Sequence, residues 1–139
     1  MTAVRRIVTP GLVEPTGASW SNALAVGDEI VFSGVHALRA DGSAEGGDSL
    51  ERQALAAFEK IRLQLAAAGG HLGNVYKLVV YVTDIARKAE VNAARLKAFK
   101  PLFPCSTLLG VDGFAFPSLL VEVDAFANLR VDLHASGGA

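Results

Sequence analysis

Glu122 carries the carboxylate that this sequence places best for acid–base chemistry. It lies in the segment 119–127, whose alternate residues are apolar, so a strand with Glu122 on its other face is expected. A carboxylate enclosed on that face loses hydration, which raises its pKa and suits it to proton transfer near neutral pH. The alternative is a salt bridge across an interface, for instance with Lys77, and the sequence does not decide between the two.

Three further side chains have both a chemical and a structural interpretation. Cys105, the one cysteine, excludes an intramolecular disulfide; it is either a nucleophile or, as we expect, a small hydrophobe, since no cation or histidine adjoins it. Asn92 lies in the apolar stripe of a predicted helix, where its amide would bond to a backbone carbonyl. Trp20, in the small-residue loop 17–22, would pack on the core or wall a ligand pocket.

Metal, nucleotide and nucleic-acid sites are not expected. The histidines at positions 36, 71 and 134 lack the ligand spacing of a zinc site. No glycine-rich phosphate-binding motif lies between a strand and a helix. Thirteen Lys and Arg against fourteen Asp and Glu give a net charge of −1, which offers no basic excess for binding phosphates.

The chain is expected to form one cytoplasmic domain over residues 1–139, with a flexible tail at 131–139. Its composition, 51% hydrophobic and 19% charged, is sufficient to bury a core. No run of about 18 apolar residues is present to span a membrane. The N-terminal segment lacks the apolar core of a signal peptide.

Two amphipathic helices are predicted. The first begins at Asp48, which with Glu51 would form a capping box, and ends at Gly69-Gly70. Its apolar stripe consists of Leu50, Ala54, Ala57, Phe58, Ile61, Leu65 and Ala68. The second helix lies between Asp84 and Pro101, and its stripe consists of Ile85, Ala89, Asn92, Leu96 and Phe99.

Alternation of apolar residues predicts six strands. They cover residues 5–9, 21–26, 29–34, 75–83, 105–111 and 119–127, with a hairpin turn at 27–28. A strand–helix–strand order implies a parallel pair joined by a right-handed crossover. We therefore expect an α+β fold in which a mixed six-stranded sheet carries both helices on one face.

The other face of this sheet is expected to be a subunit interface. Charged and apolar residues alternate with the core positions there: Val75, Lys77, Val79 and Tyr81 on one strand, and Leu120, Glu122, Asp124 and Phe126 on another. Such a face is too apolar for solvent and too charged for the core of a monomer.

A series of short motifs follows the order found in one protein family. The motifs are Ala18-Ser19-Trp20-Ser21-Asn22-Ala23, Gly27-Asp28, Val31-Phe32-Ser33-Gly34, Ala66-Ala67-Ala68-Gly69-Gly70, the strand at 75–84, Val91-Asn92, Phe103-Pro104-Cys105-Ser106-Thr107 and the strand at 120–125. From Ala18 to Ala127 the chain resembles the reactive intermediate deaminase (RidA/YjgF) family. The resemblance implies a chorismate-mutase-like fold and a homotrimer with ligand clefts between subunits.

The resemblance also implies an activity and a set of site residues. Active members hydrolyse enamines and imines such as 2-aminoacrylate without a cofactor. Their water-positioning glutamate corresponds to Glu122, their loop aromatic to Trp20, their Ser-Gly pair to Ser33-Gly34 and their helix asparagine to Asn92. Their carboxylate-binding arginine corresponds to Ser106, whose neutral hydroxyl replaces a charged group with five donors. The chain therefore resembles a divergent member.

Two functions are consistent with this resemblance. The implied cleft is lined by Trp20, Phe114, Phe116, Cys105, Ser106 and Glu122, with His36 at its rim as a proton carrier. The first function is cofactor-independent hydrolysis or deamination of an imine, an enamine or a related small C–N electrophile. The alternative is a trimer without catalytic activity that binds a small metabolite or assists a pathway enzyme.

Overall fold

The computed structural model describes residues 1–135 and confirms the mixed six-stranded sheet with two helices on one face. The sheet has the strand order β1-β2-β3-β6-β4-β5. Its strands are β1 (Val4–Arg6), β2 (Ala23–Val26), β3 (Glu29–Phe32), β4 (Val75–Val82), β5 (Cys105–Gly110) and β6 (Val121–Asn128). Helix α1 spans Leu50–Ala67, and helix α2 spans Lys88–Ala98.

The connections between strands follow from short-range sequence signals. Gly27, with φ +60°, turns the chain so that Val26 pairs with Glu29 in the antiparallel β2–β3 hairpin. Strands β4 and β5 are parallel and are joined through α2, as a strand–helix–strand unit requires. Strand β6 lies between β3 and β4 and is antiparallel to both, which places it in the middle of the sheet.

Helix α1 buries the predicted stripe against the sheet. All seven stripe residues are buried, and Phe58 packs edge-to-face on Phe99 with ring centroids 5.3 Å apart. The N-cap is Ser49, whose side chain accepts a hydrogen bond from the Arg52 backbone, so the prediction of an Asp48–Glu51 capping box is wrong. Gly69, with φ +89°, ends the helix as predicted.

The predicted apolar stripe of α2 is confirmed at Phe99 and is wrong at its other positions, because the helix is rotated about its axis. The residues that face the core are Val91, Ala94 and Phe99. Asn92 is exposed, and Leu96 is also exposed. The predicted stripe and the buried one both have helical spacing. Helix α2 packs on α1 through the buried stripe, which has the smaller side chains at the contact.

A β-bulge corrects the predicted faces of β4. The pairing with β6 shifts between Val75 and Lys77, so Tyr76 leaves the ladder. Val75 is consequently buried in the core, and Tyr76 is exposed with its hydroxyl donating to Glu29 at 2.9 Å. From Lys77 onward the predicted alternation is confirmed: Leu78, Val80 and Val82 are buried.

The face of the sheet opposite the helices has no covering element among residues 1–135, and we call it the open face. It carries Glu122, Asp124 and Phe126 from β6, with Val31 and Tyr81 from neighbouring strands. Val31 and Phe126 form a cross-strand pair, and each is more than a third exposed. The Tyr81 hydroxyl donates to Asp124 at 2.9 Å.

The C-terminal segment continues beyond β6. Leu133 donates to the Gly73 carbonyl and accepts from the Leu102 amide. The remainder of the predicted tail, residues 136–139, lies outside the described residues. Over residues 1–135, no helix combines the length and the apolar character required to cross a membrane.

Candidate functional site

The carboxylate of Glu122 lies directly against Gly34. Val35 exchanges two backbone hydrogen bonds of 2.8 Å with Val123, which brings the segment after β3 alongside the start of β6. A Cβ atom built on Gly34 would lie 2.6 Å from Cδ of Glu122. No positive φ is required at Gly34, so the close approach of the carboxylate is what excludes a side chain there.

Glu122 is half-buried and has no hydrogen-bond or ion-pair partner within residues 1–135. Burial, reinforced by the negative charge of Asp124, raises the pKa of Glu122 above its usual value of 4.5. Within one chain the salt bridge to Lys77 does not form, because the Lys77 ammonium donates to Thr107 at 2.7 Å. The carboxylate is therefore an unpaired base with a raised pKa.

A cavity of about 690 Å³ lies on the far side of Gly34, between α1 and the loops that follow β1 and β3. Five of the predicted site residues line it: Trp20, Ser33, Gly34, His36 and Phe116. Trp20 and Phe116 are 58% and 44% exposed, so both rings can contact a ligand. Glu122 is outside this lining and borders the cavity through Gly34. Phe114 lines a second hollow of about 370 Å³, which shares Phe116 with the cavity.

His36 is a neutral imidazole at the wall of the cavity. Its Nδ1 accepts from the Leu38 amide at 3.3 Å, which leaves the proton on Nε2. Burial and the charge of Lys60 lower the pKa of His36. Ser33, in contrast, is a structural residue within one chain, because its hydroxyl donates to the Ser21 carbonyl at 2.5 Å.

Three polar residues of α1 that were not predicted as site residues also line the cavity: Glu59, Lys60 and Gln64. Glu59 pairs with Arg62. The Lys60 ammonium donates to the Leu38 carbonyl at 2.7 Å, and burial lowers its pKa. Within residues 1–135, Oε1 of Gln64 is buried without a hydrogen-bond partner. The spacing of four residues between Lys60 and Gln64 places them on one face of α1, and this spacing was the available sequence signal.

The remaining predicted residues lie apart from the cavity, at the edge formed by β5 and α2. Ser106 pairs with Leu78, which is buried beneath the helices, so the Ser106 side chain lies on the helix face. Cys105 is exposed, and its pairing with Lys77 places it on the open face. Asn92 is exposed on α2, three residues from Arg95, which the sequence analysis did not single out.

The sheet itself separates Glu122 from Ser106. Glu122 pairs with Tyr81, and Tyr81 pairs with Leu109, so these three side chains share the open face. Ser106 lies three residues before Leu109 and therefore points to the opposite face. One chain does not bring the two groups of predicted site residues together.

The arrangement can supply acid–base chemistry on a small molecule. Glu122, outside the cavity lining, is an unpaired base. In the cavity wall, His36 is a neutral donor, and the rings of Trp20 and Phe116 supply apolar contact surface. Among residues 1–135, no three His, Cys, Asp or Glu side chains lie close enough to hold a metal ion together.

Comparison with known proteins agrees with the fold. Residues 12–129 match the family model described as Endoribonuclease L-PSP. A protein of Saccharomyces cerevisiae described as Protein MMF1, mitochondrial, is 28% identical over 104 residues, which are 75% of this chain and 71% of that protein. The cytoplasmic location stays a prediction for this chain.

Solved structures are also similar. The protein PA3499 of Pseudomonas aeruginosa, described as of unknown function, is 50% identical with a TM-score of 0.88, covering 96% of this chain and 97% of that one. Rv2704 of Mycobacterium tuberculosis, described as a member of the YjgF/YER057c/UK114 family, is 28% identical with a TM-score of 0.76, covering 91% and 99%. The chain therefore belongs to the YjgF/RidA family, whose sequence model is described as Endoribonuclease L-PSP.

Proposed function

We propose that the protein is a cofactor-independent hydrolase that deaminates an imine, an enamine or a related small C–N electrophile. The observation that carries the proposal is the carboxylate of Glu122, which is half-buried, has no partner within residues 1–135 and has a raised pKa. It lies against Gly34, a residue that lines the cavity. Removing an unpaired carboxylate from water costs free energy, and groups with perturbed pKa values concentrate at functional sites.

The proposed reaction requires one base and one water molecule. The Glu122 carboxylate accepts a proton from water while the oxygen attacks the imine carbon, and that proton then passes to the nitrogen, which gives a carbinolamine. Glu122 next accepts the hydroxyl proton of the carbinolamine and delivers it to the amino group, so that the C=O bond forms, the C–N bond breaks and ammonia leaves. An enamine substrate first takes a proton on its carbon, for which the protonated form of Glu122 is the donor.

The proposal places the complete site between subunits of a homotrimer. Glu122 and Ser106 point to opposite faces of one sheet, so a ligand that contacts both requires a second copy of the chain. The open face, with exposed Val31 and Phe126 beside Glu122, is the apolar surface that such a copy would cover. In this arrangement Ser106 and Asn92 of one copy hold the polar end of the substrate.

The test is turnover of freshly generated imines by the wild-type protein and by Glu122→Gln. The substitution keeps the shape of the side chain and removes the base, so we expect a loss of at least about 100-fold in kcat/KM. Glu51→Gln is the control, since it removes a carboxylate that pairs with Lys97 on the outer surface of the helices. Equal turnover by wild type and Glu122→Gln would refute the mechanism.

Ser106 favours the alternative of a trimer that binds a small metabolite without catalysis. A serine supplies one neutral hydroxyl where active relatives are expected to have an arginine. A thermal-shift screen separates the two functions. Stabilisation by small ligands without turnover of any imine in the panel would support the alternative.

A further inference from the structure

Lys60 places a primary amine in the wall of the cavity between α1 and the loops that follow β1 and β3. The side chain is half-buried, and within residues 1–135 its ammonium donates only to a neutral acceptor, the Leu38 carbonyl, at 2.7 Å. Glu45 and Glu59 also line the cavity, but both carboxylates are in ion pairs with arginines. Two of the three N–H donors of Lys60 are therefore available to a molecule in the cavity.

Burial favours the neutral form of this amine. Desolvation lowers the pKa of Lys60, and the attraction of Glu45 opposes the effect only in part. Only the neutral form has the free electron pair that attacks a carbonyl carbon, so lysines in apolar surroundings are the ones that form Schiff bases. Lys88 and Lys100, in contrast, are exposed to solvent.

The cavity wall around Lys60 combines apolar surface with an unsatisfied polar group. The exposed rings of Trp20 and Phe116 line the cavity and can contact the apolar body of a ligand. Gln64 lies one helical turn beyond Lys60 and is only 4% exposed. Its Oε1 is buried without a donor within residues 1–135. Such an oxygen costs free energy, which a hydroxyl or N–H group of a bound molecule would offset.

His36 adds a neutral donor near the amine. It lines the same cavity and lies close enough to Lys60 for the charge of the lysine to lower the pKa of His36. Its Nδ1 accepts from the Leu38 amide, so the imidazole carries its proton on Nε2. This N–H is available to the oxygen of a carbonyl group that approaches Lys60.

We propose that Lys60 captures small aldehydes in the cavity by forming a Schiff base with them. The aldehyde class that fits carries an aromatic or similarly apolar body, because the rings of Trp20 and Phe116 provide the contact surface. Glu122 is outside the cavity lining and takes no part in the capture. The inference is therefore a second activity, independent of the proposed hydrolysis, and it makes Lys60 a site of covalent modification.

The capture step balances without an oxidant, a reductant or a cofactor. The Lys60 ammonium releases a proton, and its nitrogen electron pair forms a C–N bond to the carbonyl carbon while the C=O π electrons move to oxygen. A proton passes from nitrogen to that oxygen, which gives a carbinolamine. The released proton then returns to the hydroxyl group, which leaves as water as the C=N bond forms. The resulting iminium keeps the positive charge and one N–H donor for the Leu38 carbonyl.

Reductive trapping on the intact protein tests the capture. The probe is benzaldehyde with sodium cyanoborohydride at pH 7, which reduces the iminium to a stable benzylamine that peptide mass spectrometry locates. Lys60 is expected to be labelled at least about 10-fold faster than Lys88 and Lys100, since each unit by which a lysine pKa falls raises its neutral fraction tenfold and the cavity concentrates the probe. A half-buried lysine without such a site would react more slowly than exposed ones, so labelling of Lys60 at or below their rate would overturn the proposal.

Two variants separate capture in the cavity from the reactivity of the amine alone. Trp20→Ala removes one ring and is expected to slow labelling of Lys60 by benzaldehyde about 3-fold or more, while labelling by formaldehyde, which has no apolar body, is unchanged. Val8→Ala is the control, because Val8 is an exposed apolar residue outside the cavity lining. Benzaldehyde labelling that is unchanged in Trp20→Ala, or that falls together with formaldehyde labelling, would overturn the assignment of the ligand to the cavity.

Further variants identify the nucleophile and separate this proposal from the proposed function. Lys60→Arg keeps the charge and a donor for Leu38 but has no amine, so fast labelling is expected to disappear; its persistence would place the capture on another amine and overturn the proposal. Glu122→Gln is expected to be labelled at the wild-type rate. Fast labelling of Lys60 without imine turnover in the wild type would keep the capture and reject the hydrolase, and turnover without fast labelling would do the reverse.

Discussion

The position of the Glu122 carboxylate depends on Gly34, a neighbour that lacks a side chain. Gly34 leaves the space in which the Glu122 oxygens lie, and the Val35–Val123 hydrogen bonds fix the two segments at that distance. The raised pKa follows from this enclosure and from Asp124, two residues away on the same face. Gly34, the Val35–Val123 pair and Asp124 thus set the acid–base behaviour of Glu122.

Gly34→Ala is expected to reduce imine turnover by about 10-fold or more, since small displacements of a catalytic group are costly. The new Cβ would meet only the end of the flexible Glu122 side chain, so the free energy of unfolding is expected to change by less than about 1 kcal/mol. Gly113→Ala is the control, because a Cβ there meets no atom within 4 Å. Full activity in Gly34→Ala would show that the position of the Glu122 carboxylate is unimportant.

Asp124→Asn is expected to lower the pKa of Glu122, because it removes the negative charge that opposes ionisation of the neighbouring carboxyl. Hydrolysis of an imine uses ionised Glu122, so kcat/KM for an imine substrate falls as the pH drops through this pKa. In the variant this loss is expected at lower pH than in the wild type. The pH–rate profile measures the shift, and an unchanged or upward-shifted acid limb would contradict the electrostatic account.

The sequence predicts on which face of the sheet Glu122 lies, but it does not predict that Arg95 contacts Ser106. Alternation of apolar residues places Glu122 on the open face without knowledge of the fold. Arg95 carries no such signal, because a charged residue on a helix usually faces solvent. Only the packing of α2 beside β5 brings its guanidinium to Ser106.

At the scale of secondary-structure elements, two substitutions test whether Ser49, and not Asp48, is the N-cap of α1. Ser49→Ala removes the acceptor for the Arg52 amide and is expected to lower the free energy of unfolding by about 1 kcal/mol. Asp48→Ala is expected to have a smaller effect, since the Asp48 side chain makes no cap contact. Chemical denaturation measures both, and a larger loss for Asp48→Ala would restore the original capping box.

Elements were predicted well where one face of the pattern was clearly apolar. The α1 stripe and the core positions of β6 are confirmed because only one choice of face buries large aliphatic groups. In α2 the pattern allows two apolar stripes. The one that is buried contains only small or medium side chains, Val91 and Ala94, before Phe99. The bulge in β4 was similarly beyond the sequence, because Val75 and Tyr76 both fit a strand interior.

At the scale of the whole molecule, the open face predicts association. Light scattering is expected to give a mass three times that of the 14.5-kDa chain. Phe126→Asp places a charge beside Val31 on this face, so a single-chain mass and loss of turnover are expected, with the fold retained because Phe126 is partly exposed. Ala66→Asp, on the exposed side of α1, is the control. A wild-type protein with the mass of one chain would contradict the shared site.

The central claim is that Glu122 of one copy and Ser106 of another face the same ligand. A crystal structure of the intact protein soaked with a keto acid, the class of product that imine hydrolysis of an amino-acid derivative releases, tests this claim most directly. The account predicts the ligand between two copies, with its polar end on Ser106 and its carbonyl within reach of a Glu122 carboxylate that has no lysine partner. A Glu122 carboxylate in bulk water, or one paired with a lysine, would contradict it.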